Sequence, residues 1–174
     1  KPGNAAYSSL MIASQGKAIR INHIDRDMAS QLQTVLDEHH QSMVVHGYKE
    51  QSHLLESVGV ALPKPLFDTK LAGYLVHPDF HADTLERAAA HFLDLHIEEQ
   101  SEGATQGTLD FDEPDDSAQR NDNQLPRHTA IVGLLARKLA DSLDQREQFS
   151  LLESVEIPVS RVLYGMEHAG AQVD

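Results

Sequence analysis

The first hydrophobic positions of the chain follow the pattern of two short strands. An apolar run over 7–14 is followed by a Gln15-Gly16 turn and by alternation of apolar and polar residues over 17–21. Alternation with period two buries one face of a strand, and a two-residue turn that contains Gly fits a tight hairpin. The chain is therefore predicted to open with antiparallel strands.

Beyond the hairpin, apolar residues recur three and four positions apart, which is the period of an amphipathic helix. Asp25 and Asp27 can cap the first of these helices, and Asp68 can cap the third. A proline at 158 is expected to bend the last helix. Helices are predicted over 28–38, 49–58, 69–76, 84–95, 129–146 and 151–166, and short strands over 43–45 and 66–67.

The order of these elements predicts a mixed α/β domain. Strands come first, strands and helices then alternate, and two long helices end the chain. The apolar positions of the periodic segments are expected to face the core. They are Met28, Leu32, Val35 and Leu36 on the first helix, Leu54, Leu55 and Val58 on the second, and Ile131, Leu134, Leu135, Leu139 and Leu143 on the first long helix.

The net charge of −13 is concentrated in one segment. Residues 98–124 hold nine acidic side chains against Arg120 alone and contain few apolar residues. Such a segment cannot bury enough surface to order itself, so it is predicted to be a flexible acidic loop. The chain has no block of Lys and Arg, and we expect its unaided binding to DNA to be weak.

Composition excludes several classes of site. The chain has no cysteine, which excludes a disulfide framework, a thiolate zinc site and a cysteine nucleophile, and which fits a reducing cytoplasmic setting. No apolar run approaches the roughly 20 residues of a membrane helix. The chain starts with Lys1 and without a signal-peptide pattern, so it is predicted to be an excised fragment.

Two stretches carry a family resemblance. Residues 66–78 read LFDTKLAGYLVHP and resemble the F-D-T-x-L-A-x-Y-L-x-x-P signature of the exonuclease domain in bacterial family A DNA polymerases. Residues 156–174 resemble E-x-P-x-x-x-V-L-x-x-M-E-x-x-G-x-x-V-D, the stretch that leads into the polymerase thumb. The two stretches come in the family's order, and the elements before and between them agree with it.

The resemblance implies a ribonuclease H-like mixed sheet flanked by helices, with two long C-terminal helices leading toward the thumb. It assigns 1–166 to the exonuclease-like domain and 167–174 to the start of the connection to the polymerase domain. The parent protein is expected to be a magnesium-dependent DNA polymerase of replication and repair, located in the cytoplasm at the nucleoid. The expected partners are the polymerase domain of the same chain and DNA bound through it.

In active members of that family, carboxylates converge on two metal ions about 4 Å apart. The resemblance implies three ligand motifs: Asp-x-Glu on the first strand, an Asp on the helix after the strand at 43–45, and Tyr-x-x-x-Asp on the long helix. Neither spaced motif occurs in the chain, and the second and third ligand positions fall at Gln51 and near Ala130. The hairpin resembles the family's second and third strands, so a first strand can precede Lys1.

These losses imply an inactive exonuclease-like scaffold without a metal of its own, similar to the inactive versions in Gram-positive and actinobacterial enzymes. One alternative is a working 3'-to-5' exonuclease that uses upstream residues together with Glu50 or Asp68. Helix capping by Asp68 and the helix dipole at Glu50 favour structural roles for both. Without metal-site spacing, the histidines 39, 40, 46 and 53 are interpreted as solvated or packed.

A second alternative is a docking module whose acidic loop binds a replication partner. Within the loop, Gln106, Leu109 and Phe111 resemble the Gln-x-x-Leu-x-Phe peptide by which bacterial polymerases bind the sliding clamp. Such a peptide docks two apolar anchors from a disordered segment. The competing interpretation is an acidic linker with scattered apolar residues, and the sequence leaves both open.

Overall fold

Helices outweigh strands in this α/β protein. The computed structural model describes residues 9–81, 83–97 and 117–170. In chain order its elements are β1 (Leu10–Ser14), β2 (Lys17–Ile21), α1 (Arg26–His39), a 3-10 turn (His40–Ser42), β3 (Val44–Val45), α2 (Tyr48–Glu56), β4 (Phe67–Asp68), α3 (Thr69–Val76), α4 (Leu85–Leu93), α5 (Ser117–Gln145), α6 (Phe149–Leu151), a π-helical turn (Leu152–Glu156) and α7 (Ile157–Ala169).

The opening hairpin forms as the sequence predicts. Strands β1 and β2 are antiparallel, with Ile12 opposite Ile19. Gln15 and Gly16 have φ angles of 50° and 76°. Two successive left-handed residues make the type of turn whose twist matches that of the flanking strands. Residues 7 and 8 of the predicted first strand lie outside the described residues.

Strands β3 and β4 form a second, parallel pair in which Val45 lies opposite Asp68. A parallel pair requires a crossover connection, and α2 supplies it. Strand β4 lies one residue later than predicted, because Phe67 and Asp68 are the residues that pair with β3, while Leu66 before them is exposed. Within the part of the chain that the structure describes, the strands form two separate pairs and not the single mixed sheet that the resemblance implies.

Helix α5 forms the centre of the larger core. Ile131, Leu135, Leu139 and Leu143 follow one another at intervals of four residues and are buried against α3 and α4. Leu134 was also predicted to face the core, but it is 46% exposed. Neighbouring residues on a helix point about 100° apart, so the position before Leu135 lies beside the buried stripe.

Helix α1 buries a narrower stripe than its pattern predicts. Leu32, Leu36 and Ala29 pack in a smaller core together with Leu55 and the hairpin. The predicted core positions Met28 and Val35 are wrong, since these side chains are 36% and 45% exposed. The small Ala29 side chain allows close packing on this face, and the larger residues before Ala29 and Leu36 lie at its edge.

The long helix begins before its predicted start. Helix α5 starts at Ser117, so the predicted flexible loop is corrected over 117–124, while 98–116 lie outside the described residues. Extending an existing helix costs little because each added residue gains a hydrogen bond. Pro126 lies within α5 and provides no backbone donor at that point.

The last helical segment has an irregular turn where the sequence predicts a bend. A π-helical turn over Leu152–Glu156 precedes α7, and Pro158 occupies the first turn of that helix. Proline lacks an N–H group, and a wider turn before it accommodates the missing hydrogen bond. Within the described residues, no helix has both the length and the apolarity of a membrane span.

Candidate functional site

The Asp68 carboxylate joins the N-termini of two helices. Its side chain is 1% exposed and accepts hydrogen bonds from Lys70 N at 2.8 Å and Leu71 N at 3.4 Å in α3. It also accepts from Gly47 N at 3.1 Å and Tyr48 N at 2.7 Å at the start of α2. The partial positive charge of a helix N-terminus stabilises an anion, and here two such ends share one carboxylate.

Three of these contacts are made to Asp68 Oδ1, and the fourth, from Tyr48 N, is made to Oδ2. An ionised Asp has about four lone-pair sites, and the four backbone N–H groups lie at two positions far apart in the chain. Asp68 therefore caps α3, as predicted, and in addition fixes α2 against it.

Gly47 gives α2 its starting geometry. Its φ angle is 75°, which side-chain-bearing residues rarely adopt, and a Cβ atom there would lie 2.9 Å from Glu50 Oε2. This conformation lets successive amides of Gly47 and Tyr48 point at Asp68. The tight turn and the buried carboxylate therefore form one structural unit, which we call the Asp68 unit and which consists of Gly47, Tyr48, Asp68, Lys70 and Leu71.

Glu50 is paired with a lysine. Its Oε1 atom lies 2.7 Å from Lys70 Nζ, on the outer side of the Asp68 unit. Burial raises the pKa of Glu50, but the hydrogen bond from Lys70 and the lysine charges outweigh burial and leave the pKa below its usual value. As a metal ligand, Glu50 would have to exchange Lys70 for the ion.

His46 belongs to a partly buried hydrogen-bond chain next to Asp68. Its Nδ1 lies 2.8 Å from Thr69 Oγ1, and the Thr69 hydroxyl donates to the Val45 carbonyl at 3.2 Å. With the hydroxyl donating to Val45, a neutral His46 ring donates from Nδ1, and Nε2 is then the bare nitrogen. Nε2 is buried without a partner among the described residues. Burial lowers the pKa of His46, against the raising effects of the nearby carboxylates.

The positions at which the resemblance expects metal ligands carry neutral side chains. Gln51 is half-buried in the first turns of α2, and Ala130 is exposed on α5. Within the described ranges there is no group of three or more His, Cys, Asp or Glu residues placed to hold a metal ion. His53 contacts Glu167 at 3.0 Å, and His40 contacts the Asp37 carbonyl at 2.7 Å.

A shallow cleft lies between the Asp68 unit and α7. Its volume is about 200 Å³, and its walls include Lys70 and Leu71 on one side and Val159 and Leu163 on the other. Small-molecule sites usually measure roughly 300–1,000 Å³ and enclose most of their ligand. The cleft is thus small for a substrate, and it has an apolar wall formed by α7.

The sequence predicts that Asp68 caps α3, but it does not predict that Asp68 also binds the start of α2. The Phe67-Asp68-Thr69 order indicates a helix cap, because a polar residue between a buried strand and an apolar helix favours that role. The contact with α2 joins residues about twenty positions apart, and no local pattern reports it. Gly47 was the available signal, since a Gly directly before a helix often marks an unusual backbone angle.

The relatives found by sequence comparison carry the name DNA polymerase I. No family model matches the chain. DNA polymerase I of Mycobacterium tuberculosis is 32% identical over 134 residues, that of Mycobacterium leprae 33% over 132, and that of Bacillus subtilis 28% over 116. These matches cover 75%, 75% and 67% of the chain.

The structural comparison agrees with the sequence comparison. A solved structure titled as the POL domain of Pol1 from M. smegmatis in complex with DNA primer-template and dNTP matches 97% of the chain with a TM-score of 0.76 and 26% identity. The chain is related to bacterial DNA polymerase I. It matches only 13–14% of the length of the DNA polymerase I relatives and 27% of the solved chain. The peptide 106–111, with its resemblance to a clamp-binding sequence, lies outside the described residues.

Proposed function

We propose that the chain is the 3'-to-5' exonuclease-like domain of a DNA polymerase I, ribonuclease H-like in fold, that lacks exonuclease activity and acts as a scaffold. One observation carries this proposal. The buried carboxylate of the family signature, Asp68, binds four backbone N–H groups and holds two helices together. The residue has the geometry of a structural anchor.

The remaining chemistry supports the same conclusion. Two-metal hydrolysis needs carboxylates that hold both ions and so stabilise the attacking and leaving oxygens. Gln51 offers a neutral amide, and Ala130 offers no ligand atom. Glu50 is paired with Lys70. Within the described residues, no group of three or more His, Cys, Asp or Glu side chains is placed to hold a metal ion, which supports the proposal.

As a scaffold, the domain contributes geometry to its parent protein. Helix α5 is packed along its length from Ile131 to Leu143, and α7 is held to α2 by Glu167, which bonds Lys49 at 2.8 Å and His53 at 3.0 Å. We assign 1–166 to this domain and 167–174 to the connection, which begins within the last turn of α7 and is attached to α2 through Glu167. In this proposal, the parent polymerase binds DNA, requires magnesium and is located at the nucleoid.

A digestion experiment tests the lack of exonuclease activity. The parent polymerase is incubated with a 3'-labelled single strand and Mg²⁺ or Mn²⁺, without nucleotides, next to a proofreading polymerase as the positive control. We expect the label to stay on the strand. Metal-dependent release that the Glu50→Gln variant abolishes would establish the alternative, a working exonuclease with a substitute ligand.

A further inference from the structure

Helix α5 carries exposed basic side chains beside its buried stripe. Arg127, Arg137 and Lys138 are exposed. Among the residues that the structure describes, none of these three forms an ion pair with a carboxylate. We call the exposed side chains of this stretch, which are Arg127, Ala130, Leu134, Arg137 and Lys138, the basic face of α5.

The basic face differs from the rest of the chain in its charge. The whole sequence has 27 acidic and 14 basic residues, but residues 125–140 contain three basic residues and no acidic one. Elsewhere, Lys49, Lys70 and Arg87 pair with carboxylates at 2.8, 2.7 and 3.3 Å. Because no carboxylate neutralises the basic face within its own stretch, its charge is available to an anionic partner.

The basic face is long and has little relief. On a helix with 3.6 residues per turn, Arg127, Leu134 and Lys138 point within about 40° of one another, and Arg127 and Lys138 lie roughly 16 Å apart along the axis. Between them, Ala130 has only a methyl group. A Cβ atom on Gly133 would meet no other atom within 4 Å, so the helix surface is open there. A partner's backbone can therefore approach α5 closely.

These features fit the phosphate backbone of duplex DNA. Each strand of a duplex carries one phosphate about every 3.4 Å along the axis, so roughly 16 Å spans about five phosphates. Single strands are held largely by stacking of their bases on aromatic side chains. Residues 125–140 contain no Phe, Tyr or Trp. The basic face thus offers charge without a stacking surface, which suits a duplex better than a single strand.

We propose that the basic face of α5 contacts the backbone of duplex DNA that the parent polymerase holds. This inference rests on the proposed function, because the parent polymerase brings the DNA to the domain. The contact is independent of base sequence, since it involves phosphates only. Ala130, near which the resemblance places a metal-binding carboxylate, adds no negative charge to this face. Three cations supply an auxiliary contact, in keeping with weak DNA binding by the domain alone.

Salt-dependent DNA binding tests the contact. The test variant of the whole parent polymerase carries Arg127→Ala, Arg137→Ala and Lys138→Ala together, and Ala preserves the helix. Binding of a labelled duplex and of a single strand of equal length is measured by fluorescence anisotropy from about 50 to 200 mM potassium chloride, the range in which released counterions weaken binding strongly. Thermal melting confirms that the variant is folded.

The control variant removes the same charge from exposed positions on other elements. It carries Lys17→Ala, Arg26→Ala and Arg161→Ala, on β2, α1 and α7. A purely long-range effect of net charge would weaken binding equally in the test and control variants. A direct contact at α5 would weaken it mainly in the test variant.

We expect the test variant to bind the duplex at least about tenfold more weakly than the wild type at the lowest salt. The slope of log affinity against log salt should become shallower by about 2–3, since each lost phosphate contact contributes about 0.9. A Leu134→Arg variant adds a cation to the same face and should steepen the slope by about 1. An unchanged slope in the test variant, or an equal change in the control variant, would overturn the proposal. A greater loss for the single strand than for the duplex would also overturn it.

The two proposals can fail separately. Nuclease activity in the digestion experiment would contradict the loss of catalysis and leave the duplex-binding result to be judged on its own. An unchanged salt slope in the test variant, with no release of label from DNA, would reject the duplex contact while the inactive domain stands. One readout follows cleavage of a single strand, and the other follows binding of a duplex.

Discussion

At the scale of single residues, Asp68 is a buried acid that accepts four backbone hydrogen bonds. Its carboxylate is buried, and its contacts are backbone N–H groups at the starts of α2 and α3. Hydrogen bonds to a charged acceptor are stronger than neutral ones, and buried donors left without an acceptor are costly. From the sequence alone, the position of Asp68 in the signature stretch 66–78 would suggest a catalytic carboxylate.

An Asp68→Asn substitution should destabilise the domain by roughly 2–4 kcal/mol, because one acceptor oxygen becomes an NH₂ group that faces backbone donors. Urea unfolding of the wild type and the variant measures this difference. Asp25→Asn is the matched control. Asp25 is an exposed N-cap that accepts from Met28 N at 2.8 Å, and Asn caps about as well as Asp, so its effect should stay below about 0.5 kcal/mol. Equal losses in the two variants would contradict the structural role of Asp68.

His46 should make stability depend on pH. Burial lowers its pKa in the folded state, so the unfolded chain binds this proton first as pH falls below about 6.5. The contribution of His46 is therefore complete above that pH and declines below it. Thermal melting between pH 7.5 and 5.5 should show a smaller loss for His46→Gln than for the wild type. Parallel curves for the two proteins would reject this account.

The sequence predicts part of these residue-scale features. The helix cap at Asp68 follows from its place between an apolar strand residue and an apolar helix. The hydrogen-bond chain from His46 through Thr69 to the Val45 carbonyl does not, since it joins parallel neighbours brought together only by the β3–β4 pairing. Spacing in a sequence reports local contacts and gives no direct information on such partners.

At the scale of elements, α5 is the main packing element of the larger core. Leu135, Leu139 and Leu143 are fully buried on one face. A Leu135→Ala change should cost roughly 3–5 kcal/mol, since it removes buried methyl groups and leaves a cavity. Leu134→Ala, one residue earlier and exposed on the same helix, should cost less than about 1 kcal/mol. Urea unfolding of both variants compares them, and similar losses would contradict the assigned face of α5.

Element types could be predicted from the sequence more readily than their limits. Hydrophobic periodicity predicts α1 and α5 and most of their buried residues. It fails at Met28, Val35 and Leu134, because a residue at the edge of an apolar sector satisfies the same spacing as one at its centre. The earlier start of α5 at Ser117 lies in polar sequence, where periodicity carries no signal.

At the scale of the whole molecule, the described residues form two cores, and α7 leaves an apolar face exposed. The family could be predicted from two signature stretches, and the order of elements from hydrophobic periodicity. The uncovered face could not, because periodicity does not distinguish a stripe that packs inward from one that points outward. A helix such as α7 has apolar residues on opposite sides, so its sequence shows a hydrophobic segment but not which side faces the core.

A domain without a functional metal site should have a melting temperature that does not depend on Mg²⁺ or Mn²⁺. The 174-residue chain is melted across increasing Mg²⁺ and, separately, Mn²⁺, with potassium chloride at matched ionic strength as the control. We expect the same melting temperature as in the control at every concentration. A saturable rise would contradict the account, because an ion at 100 times its Kd stabilises the folded state by about 2.7 kcal/mol.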